Sequence, residues 1–433
     1  MNEPVSAIPS EIEKRGIALM FLAVFIDLLG FGIIIPILPY FVVDTLHGSE
    51  LEYGAILAIY SLTQFLFSPF WGRLSDRIGR RPVVLVGLFG SSISFFVFGI
   101  SDSIPKLFFA RFLAGFFTAA SLPTARAFIA DISPPEKRTA RMGLIGAAFG
   151  LGFTFGPAIG SATSRILIPG FEQFIYAAPS FLASVLALLN FLFAYVNLPE
   201  TLSEELRDHI KRKREQIKSL GPSRKRIFHI LSLPQVLLLV SMFSITTMVF
   251  SSFEAMFALY ASEIDPFFNE STIGYAFALI GIVVIFVQAG FIRVVVKKLG
   301  NEKTVVIGFM LNVLGFILIP FAENRYTLFL FLVPIGIGQG LLTPTLNSLV
   351  SLRLSKEEMG EGMGINSGGA AIARVLGPLL GAYLYGLDIH LPFYVAGVMM
   401  ALLGIVAFQG LVQNELQMQK KSNLEHVPAE YVK

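Results

Sequence analysis

Gly72-Arg73-Leu74-Ser75-Asp76-Arg77-Ile78-Gly79-Arg80-Arg81-Pro82 is the first dense run of charge after a long apolar stretch, and a second apolar stretch follows at once. Four arginines and one aspartate fall within these eleven residues. Gly79 permits a tight turn and Pro82 can open a helix. The stretch therefore reads as a short hairpin between two membrane spans, with its arginines on the cytoplasmic side. Charge alone would also fit a positive-inside anchor with no further role.

The composition around it agrees. Of 433 residues, 54% are hydrophobic and only 15% charged, and mean hydropathy is +0.71. A soluble domain carries about 25% charge, so this is an integral membrane protein. A net charge of +3 and a pI near 8.9 invite a nucleic-acid reading, but the cations lie in short loops between apolar runs. That placement is an orientation signal. There are no cysteines, hence no disulfide or thiolate chemistry. The apolar run after the polar Met1–Gly16 segment is too long for a signal-peptide core and reads as the first span.

Runs of about 20 apolar residues number twelve, at roughly 17–43, 53–71, 82–100, 105–130, 139–161, 174–196, 234–262, 271–295, 303–321, 325–352, 360–385 and 391–412. Twelve spans put both termini on one side. Segments on that side carry 27 Lys and Arg, the opposite loops 3, and Arg111, Arg126 and Arg374 lie inside spans. This asymmetry predicts cytoplasmic termini.

The halves repeat at a constant offset of 221 residues. Gly79 meets Gly300, Gly87 meets Gly308, Gly115 meets Gly336, and Pro123-Thr124 meets Pro344-Thr345. Glu136 meets Glu357 and Met142-Gly143 meets Met363-Gly364. Gly156-Pro157-x-x-Gly160 meets Gly377-Pro378-x-x-Gly381. Glycine and proline set backbone shape and close helix approach, so their register matters most. The expected architecture is an all-α membrane protein: twelve transmembrane helices in two pseudo-symmetric six-helix bundles with a site between them at mid-membrane. The boundaries are 1–196 for the first bundle, 197–233 for a cytoplasmic linker, 234–412 for the second bundle and 413–433 for a cytoplasmic tail. The linker is helix-prone from Leu202 to Ser219, with Lys211-Arg212-Lys213-Arg214 at its middle, and is expected to lie along the anionic leaflet.

The order Gly72-x-Leu74-x-Asp76-Arg77-x-Gly79-Arg80-Arg81 resembles the signature loop between the second and third helices of major facilitator superfamily transporters. The resemblance implies a gate: Asp76 caps the cytoplasmic end of span 11, and Arg80 pairs with Asp131 at the end of span 4, with Gly72 and Gly79 shaping the loop. The second-half loop keeps positive charge but places Lys297 opposite Asp76 and Asn301 opposite Arg80. Gly152-x-x-x-Gly156-Pro157-x-x-Gly160 resembles the helix-packing motif of antiporters, with Ser161 in place of the family's final glycine. As a nucleotide fingerprint these glycines fail for want of a strand-turn-helix setting, and no phosphate-binding Gly-x-x-x-x-Gly-Lys-Ser/Thr loop occurs.

A charge inside a span costs about 2.5–3.5 kcal/mol on insertion scales and is a functional hypothesis by default. Asp27 lies roughly 15 Å into span 1, at about 1.5 Å per residue. Such a carboxyl can take up a proton in one conformation and release it in another; a structural ion pair is the alternative. Asp27-Leu28-Leu29-Gly30-Phe31-Gly32-Ile33-Ile34-Ile35-Pro36-x-x-Pro39 resembles the first helix of twelve-span drug:proton antiporters, including the tetracycline exporters, which implies a substrate and proton site at Asp27. Arg111-Phe112-Leu113-Ala114-Gly115 resembles their Arg-x-x-x-Gly motif, with Ala114 where glutamine is frequent. An arginine stays charged, so its expected role is to bias a carboxylate, with Asp27 the candidate. Glu254, in Phe253-Glu254-Ala255-Met256-Phe257, resembles the span 7 acid of Gram-positive multidrug antiporters, and an acid among aromatics can hold a lipophilic cation. Phe31, Phe153, Phe253 and Phe257 are candidate cavity aromatics. Arg126 can snorkel from the end of span 4; Arg374 sits deeper, four residues before Pro378. Neither has an assigned role.

The function expected is proton-coupled efflux of lipophilic or cationic small molecules by alternating access, with no enzymatic chemistry, metal or cofactor and with the proton gradient as energy source. Small molecules, protons and the bilayer are the expected partners, the state a monomer, and the site of action a bacterial cytoplasmic membrane. A facilitator or proton symporter for a small metabolite is the alternative.

Overall fold

In lipid every backbone N–H and C=O must be paired within the chain, which leaves helices as the solution for runs of this length. The structure, a computed structural model, describes residues 10–133, 135–202, 223–355 and 358–413, and among these there is no strand. The first half comprises α1 (Ser10–Ile34), α2 (Glu50–Ile78), α3 (Arg80–Gly99), α4 (Ile104–Ile132), α5 (Pro135–Thr163) and α6 (Ala177–Asn197). A short α7 (Ser223–Ser232) precedes α8 (Pro234–Ile264), α9 (Ile273–Phe286), α10 (Ile292–Leu318), α11 (Arg325–Leu352), α12 (Met359–Leu387) and α13 (Leu391–Ala407). The basic centre of the linker and the tail beyond Gln413 lie outside the described residues.

Ten helical stretches among the described residues are long and apolar enough to cross a bilayer. One of them, Ile273–Phe321, is 49 residues long. Unbroken it would reach roughly 70 Å, more than twice the hydrocarbon thickness. It breaks at Gly300 (φ 81°, ψ 171°). The repeat partner Gly79 has φ 116° and ψ 161°. Both conformations are open to glycine and strained for other residues, so the repeat preserves the two places where the chain must turn.

Helix packing follows the same register. A Cβ at Gly87 would meet Ser121 and Phe117 of α4, and one at Gly308 would meet Leu342 and Gly338 of α11, each 221 residues further on. Gly156 and Gly160 let α5 ride against Gly32 and Ile33 of α1, while Gly377 and Gly381 let α12 ride against Met248 and Ser252 of α8. The halves meet along two further pairs of helices. Gly54 of α2 packs on Pro378 and Ala382 of α12, and Gly274 and Gly281 of α9 pack on Pro157 and Thr154 of α5.

One boundary differs from expectation. Span 1 was drawn from hydropathy through residue 43, but α1 stops at Ile34, a turn covers Ile35–Ile37, and a short π-helical turn follows at Tyr40–Thr45. Pro36 and Pro39 explain the break, since each removes an N–H and disfavours helix in the residue before it.

Candidate functional site

The charged side chains inside the spans fall into two groups. Near the terminal end, the α2–α3 turn brings Arg80 against two acids. Its Nη1 donates to the Asp76 carboxylate and to Ser75 Oγ at 2.8 Å, and its Nε donates to Asp131 Oδ2 at 2.9 Å. Arg80 is only 4% exposed, so this is a partly desolvated, charge-assisted network that ties α2, α3 and α4 together. A cleft of about 610 Å³ opens beside it, lined by Gly72, Asp76, Arg80, Pro123 and Ala127 among others. The Arg80–Asp131 pair implied by the signature loop is therefore present.

Sequence reasoning missed a third acid here. Glu200, just after α6, accepts from the amides of Arg80 (2.9 Å) and Arg81 (3.1 Å), the first residues of α3. A carboxylate at a helix N-terminus satisfies orphan amides and the positive end of the dipole. Arg81 in turn donates to the Tyr195 carbonyl at 2.7 Å. The available signal was an acid at the end of a span, following Pro199.

Deeper in the bundle, Asp27 is buried, and its Oδ1 accepts from Ser91 Oγ of α3 at 2.8 Å. Arg111 does not stand against it. The guanidinium lies over the rings of Tyr60 (4.7 Å) and Phe31 (5.3 Å), its Nε has no hydrogen-bond partner, and the acid whose charge reaches it is Glu254. The expected Asp27–Arg111 bias is thus replaced by two linked environments: Asp27 with a hydroxyl, and Arg111 on an aromatic shelf facing the second half. Glu254 is half-buried and feels Arg374 as well as Arg111. The aromatic expectation divides in the same way. Phe31 and Phe153 are partly buried, 5.7 Å apart beside Arg111. Phe253 and Phe257 are instead sealed in the core of the second half with Phe316, Phe393 and Phe277. Phe253, next to Glu254, points about 100° away from it on the helix, and Phe257, one turn on, is held in the core by its edge contact with Phe277.

At the far end, away from the chain termini, the halves are hydrogen-bonded to each other. Tyr53 donates to the Ala255 carbonyl at 2.9 Å and Tyr40 to that of Ala258 at 3.3 Å. The Ser164 and Ser271 hydroxyls are 3.2 Å apart, and Arg165 Nε donates to Glu270 at 2.8 Å. Ser161, the departure from the family glycine, accepts from the Gly274 amide at 2.9 Å. These contacts close the far end over Glu254.

A two-part match to the family model described as Major Facilitator Superfamily spans residues 20–294 and 267–432. The chain belongs to the Major Facilitator Superfamily. It is 30% identical over 398 residues to Multidrug resistance protein 1 of Bacillus subtilis (strain 168), covering 90% of this chain and 95% of that protein. To the class E tetracycline resistance protein of Escherichia coli it is 28% identical, covering 86% and 88%. Among solved structures it superposes on the human organic anion transporter MFSD10 (TETRAN) with a TM-score of 0.66 at 25% identity, covering 91% and 99%. A POT family transporter superposes with a TM-score of 0.71 at 15% identity, covering 92% and 96%, which speaks to the fold. As a major facilitator, the chain is an integral membrane transporter. Of the buried charges described above, the Arg80 network and Asp27 are held within the first half, and Arg111 and Glu254, from opposite halves, lie within electrostatic reach of each other.

Proposed function

We propose that this facilitator exports lipophilic small molecules in exchange for protons, by alternating access between the bundles 1–196 and 234–412, with both termini in the cytoplasm. The observation that carries the reading is the placement of two intramembrane acids. Asp27 sits within the first half against a single neutral hydroxyl, and Glu254 sits in the second, within reach of Arg111 and Arg374. A carboxyl held by a hydroxyl can keep or give up its proton as its surroundings change, whereas one locked to a guanidinium cannot. The Arg80 network with Asp76 and Asp131 would serve as the gate at the terminal end, and the tyrosine and serine contacts as the opposite gate. The multidrug and tetracycline resistance relatives support export as the direction.

Asp27→Asn removes the exchangeable proton while keeping shape and the Ser91 contact. In proteoliposomes with an imposed proton gradient it is expected to abolish uphill efflux and leave downhill exchange of substrate. Uphill transport at the parental rate in this variant would remove Asp27 from the coupling mechanism.

A further inference from the structure

The cleft beside Asp76 has a counterpart in the second half with its charge reversed. The first is lined by Gly72, Arg73 and Asp76 among others; a second hollow, of about 480 Å³, is lined by Arg293, Val294, Lys297 and Lys298. Arg293, Val294 and Lys297 stand 221 residues after Gly72, Arg73 and Asp76, so the repeat places both hollows at the same point of their halves. In the first half the chain supplies both signs of charge, because Arg80 holds Asp76 and Asp131. In the second, Lys297 and Asn301 occupy the positions of Asp76 and Arg80, and three cations are left together. None of the three has an ion-pair partner among the described residues. The next acid along the helix, Glu302, is 3.4 Å from Arg353. On α10 the four lining residues fall within an arc of about 140° and a rise of about 7.5 Å. Like charges so placed on one helix face repel unless an anion joins them.

Depth and surroundings indicate what kind of anion. Arg293 lies about 30 Å along the helices from Ile273 at 1.5 Å per residue, which is the thickness of the hydrocarbon layer. The hollow therefore stands at the level of the lipid phosphates on the terminal side. The helix leading to it has one free face. Gly274 and Gly281 pack on α5, while Val283 and Val287 pack on Gly336 and Gly340 of α11. The remaining face carries Ile282, 57% exposed, and Phe286, 69% exposed. A short π-helical turn, Val287–Phe291, follows, and a Cβ at its Gly290 would meet nothing within 4 Å. The exposed Val294 comes next. An apolar track of about 18 Å thus ends in three cations. A soluble phosphate has a use for the cations but none for the track, whereas a lipid uses both.

We propose that this hollow binds the headgroup of an anionic phospholipid, with the phosphate held by Arg293, Lys297 and Lys298 and an acyl chain lying along Phe286 and Ile282. Positive-inside placement accounts for cations at this end of the molecule. It does not account for three of them unpaired in one hollow at the foot of an open apolar track, which is the arrangement that anionic headgroups recognise.

The test places a reporter on the track by Phe286→Trp. The one native tryptophan, Trp71, is buried and donates to the Phe116 carbonyl, so the parental chain supplies the background. The full chain is reconstituted in mixtures of phosphatidylcholine and phosphatidylglycerol in which one lipid or the other carries brominated acyl chains. Quenching then reports which lipid lies against residue 286. Phosphatidylglycerol is expected to be preferred about threefold or more. Lys297→Gln with Lys298→Gln should bring the preference close to parity, and Lys297→Arg with Lys298→Arg should keep it. Arg73→Gln with Arg77→Gln, which removes as much charge from the equivalent turn of the first half, should leave it unchanged. Millimolar inorganic phosphate should not displace the lipid. Equal quenching by the two lipids, an equal loss in the Arg73 and Arg77 variant, or displacement by phosphate overturns the proposal, the last by assigning the cations to a soluble anion. Should the glutamine pair fail to fold, the parental preference and the phosphate competition decide. The readout needs no transport, so its outcome is independent of the export reading.

Discussion

Gly72 and Gly79 look interchangeable in the sequence, both flanking the same charged turn, and the structure separates them. A Cβ at Gly72 meets open space beside the Asp76 cleft. At Gly79 the backbone is at φ 116° and a Cβ would overlap the Glu200 carboxylate that caps α3. Gly79→Ala is therefore expected to cost about 1–3 kcal/mol of stability, and Gly72→Ala no more than about 0.5 kcal/mol. The midpoint of thermal unfolding of the purified protein in detergent reads this directly, and equal midpoints for the two variants would show that the turn relaxes freely. The same contrast marks what was legible. Asp27, Arg111 and Glu254 stood out because the cost of a charge in lipid is local and needs no partner to be recognised. Their partners were hidden: Ser91 is one serine among many, and Glu200 lies 120 residues from the Arg80 amide it holds. Arg111 was the misleading case, since a motif names a residue but not the ring it will lie against.

Between helices, the decisive quantity is how closely two backbones approach, and small residues set it. Gly160 and Gly381 are repeat partners, yet their surroundings differ. A Cβ at Gly160 would overlap the carbonyl oxygen of Ile33, which belongs to the α1 backbone; at Gly381 the nearest atom is Ser252 Oγ at 2.6 Å, in a side chain that can rotate away, while Met256 Cγ and the Ser252 carbonyl oxygen both stand at 3.1 Å, tight but short of overlap. Gly160→Ala is expected to cost about 2–3 kcal/mol and Gly381→Ala about 1 kcal/mol or less, because backbone cannot yield as a rotamer can. Recovery of folded protein after graded heating, followed by size-exclusion chromatography, checks the order; a greater loss for Gly381→Ala would mean that the α1–α5 crossing is the softer one. The repeat showed which positions must be small. It could not show that backbone stands far closer to one of the pair than to the other, because that depends on how far each helix pair has closed. The break in span 1 belongs to this scale too: Pro36 and Pro39 were visible, but hydropathy counts them into the span and only their geometry ends the helix.

For the whole molecule, the contacts at the far end raise the question of whether that end opens during transport. Tyr40, Tyr53, Ser161, Ser164 and Arg165 all reach across to the second half there, while Asp27, Arg111 and Glu254 lie deeper, behind that closure. Alternating access requires these contacts to break once per cycle. Because the chain contains no cysteine, a single engineered pair can report on this without background. The Ser164 and Ser271 hydroxyls are 3.2 Å apart, which places their Cβ atoms in the range of about 3.5–4.5 Å or slightly beyond, close enough for a disulfide with little backbone movement. Ser164→Cys combined with Ser271→Cys is expected to cross-link under mild oxidation and to reduce transport to about the level of protein-free liposomes, because substrate can no longer leave at that end. A reductant should restore it, and either single substitution should transport normally under both conditions. Thiol labelling before and after oxidation measures how much of the protein is cross-linked, so the flux can be compared with the cross-linked fraction. If transport continues when essentially all of the protein is cross-linked, the two halves do not part at this end, and substrate must leave by a path that the rocking of two bundles does not provide.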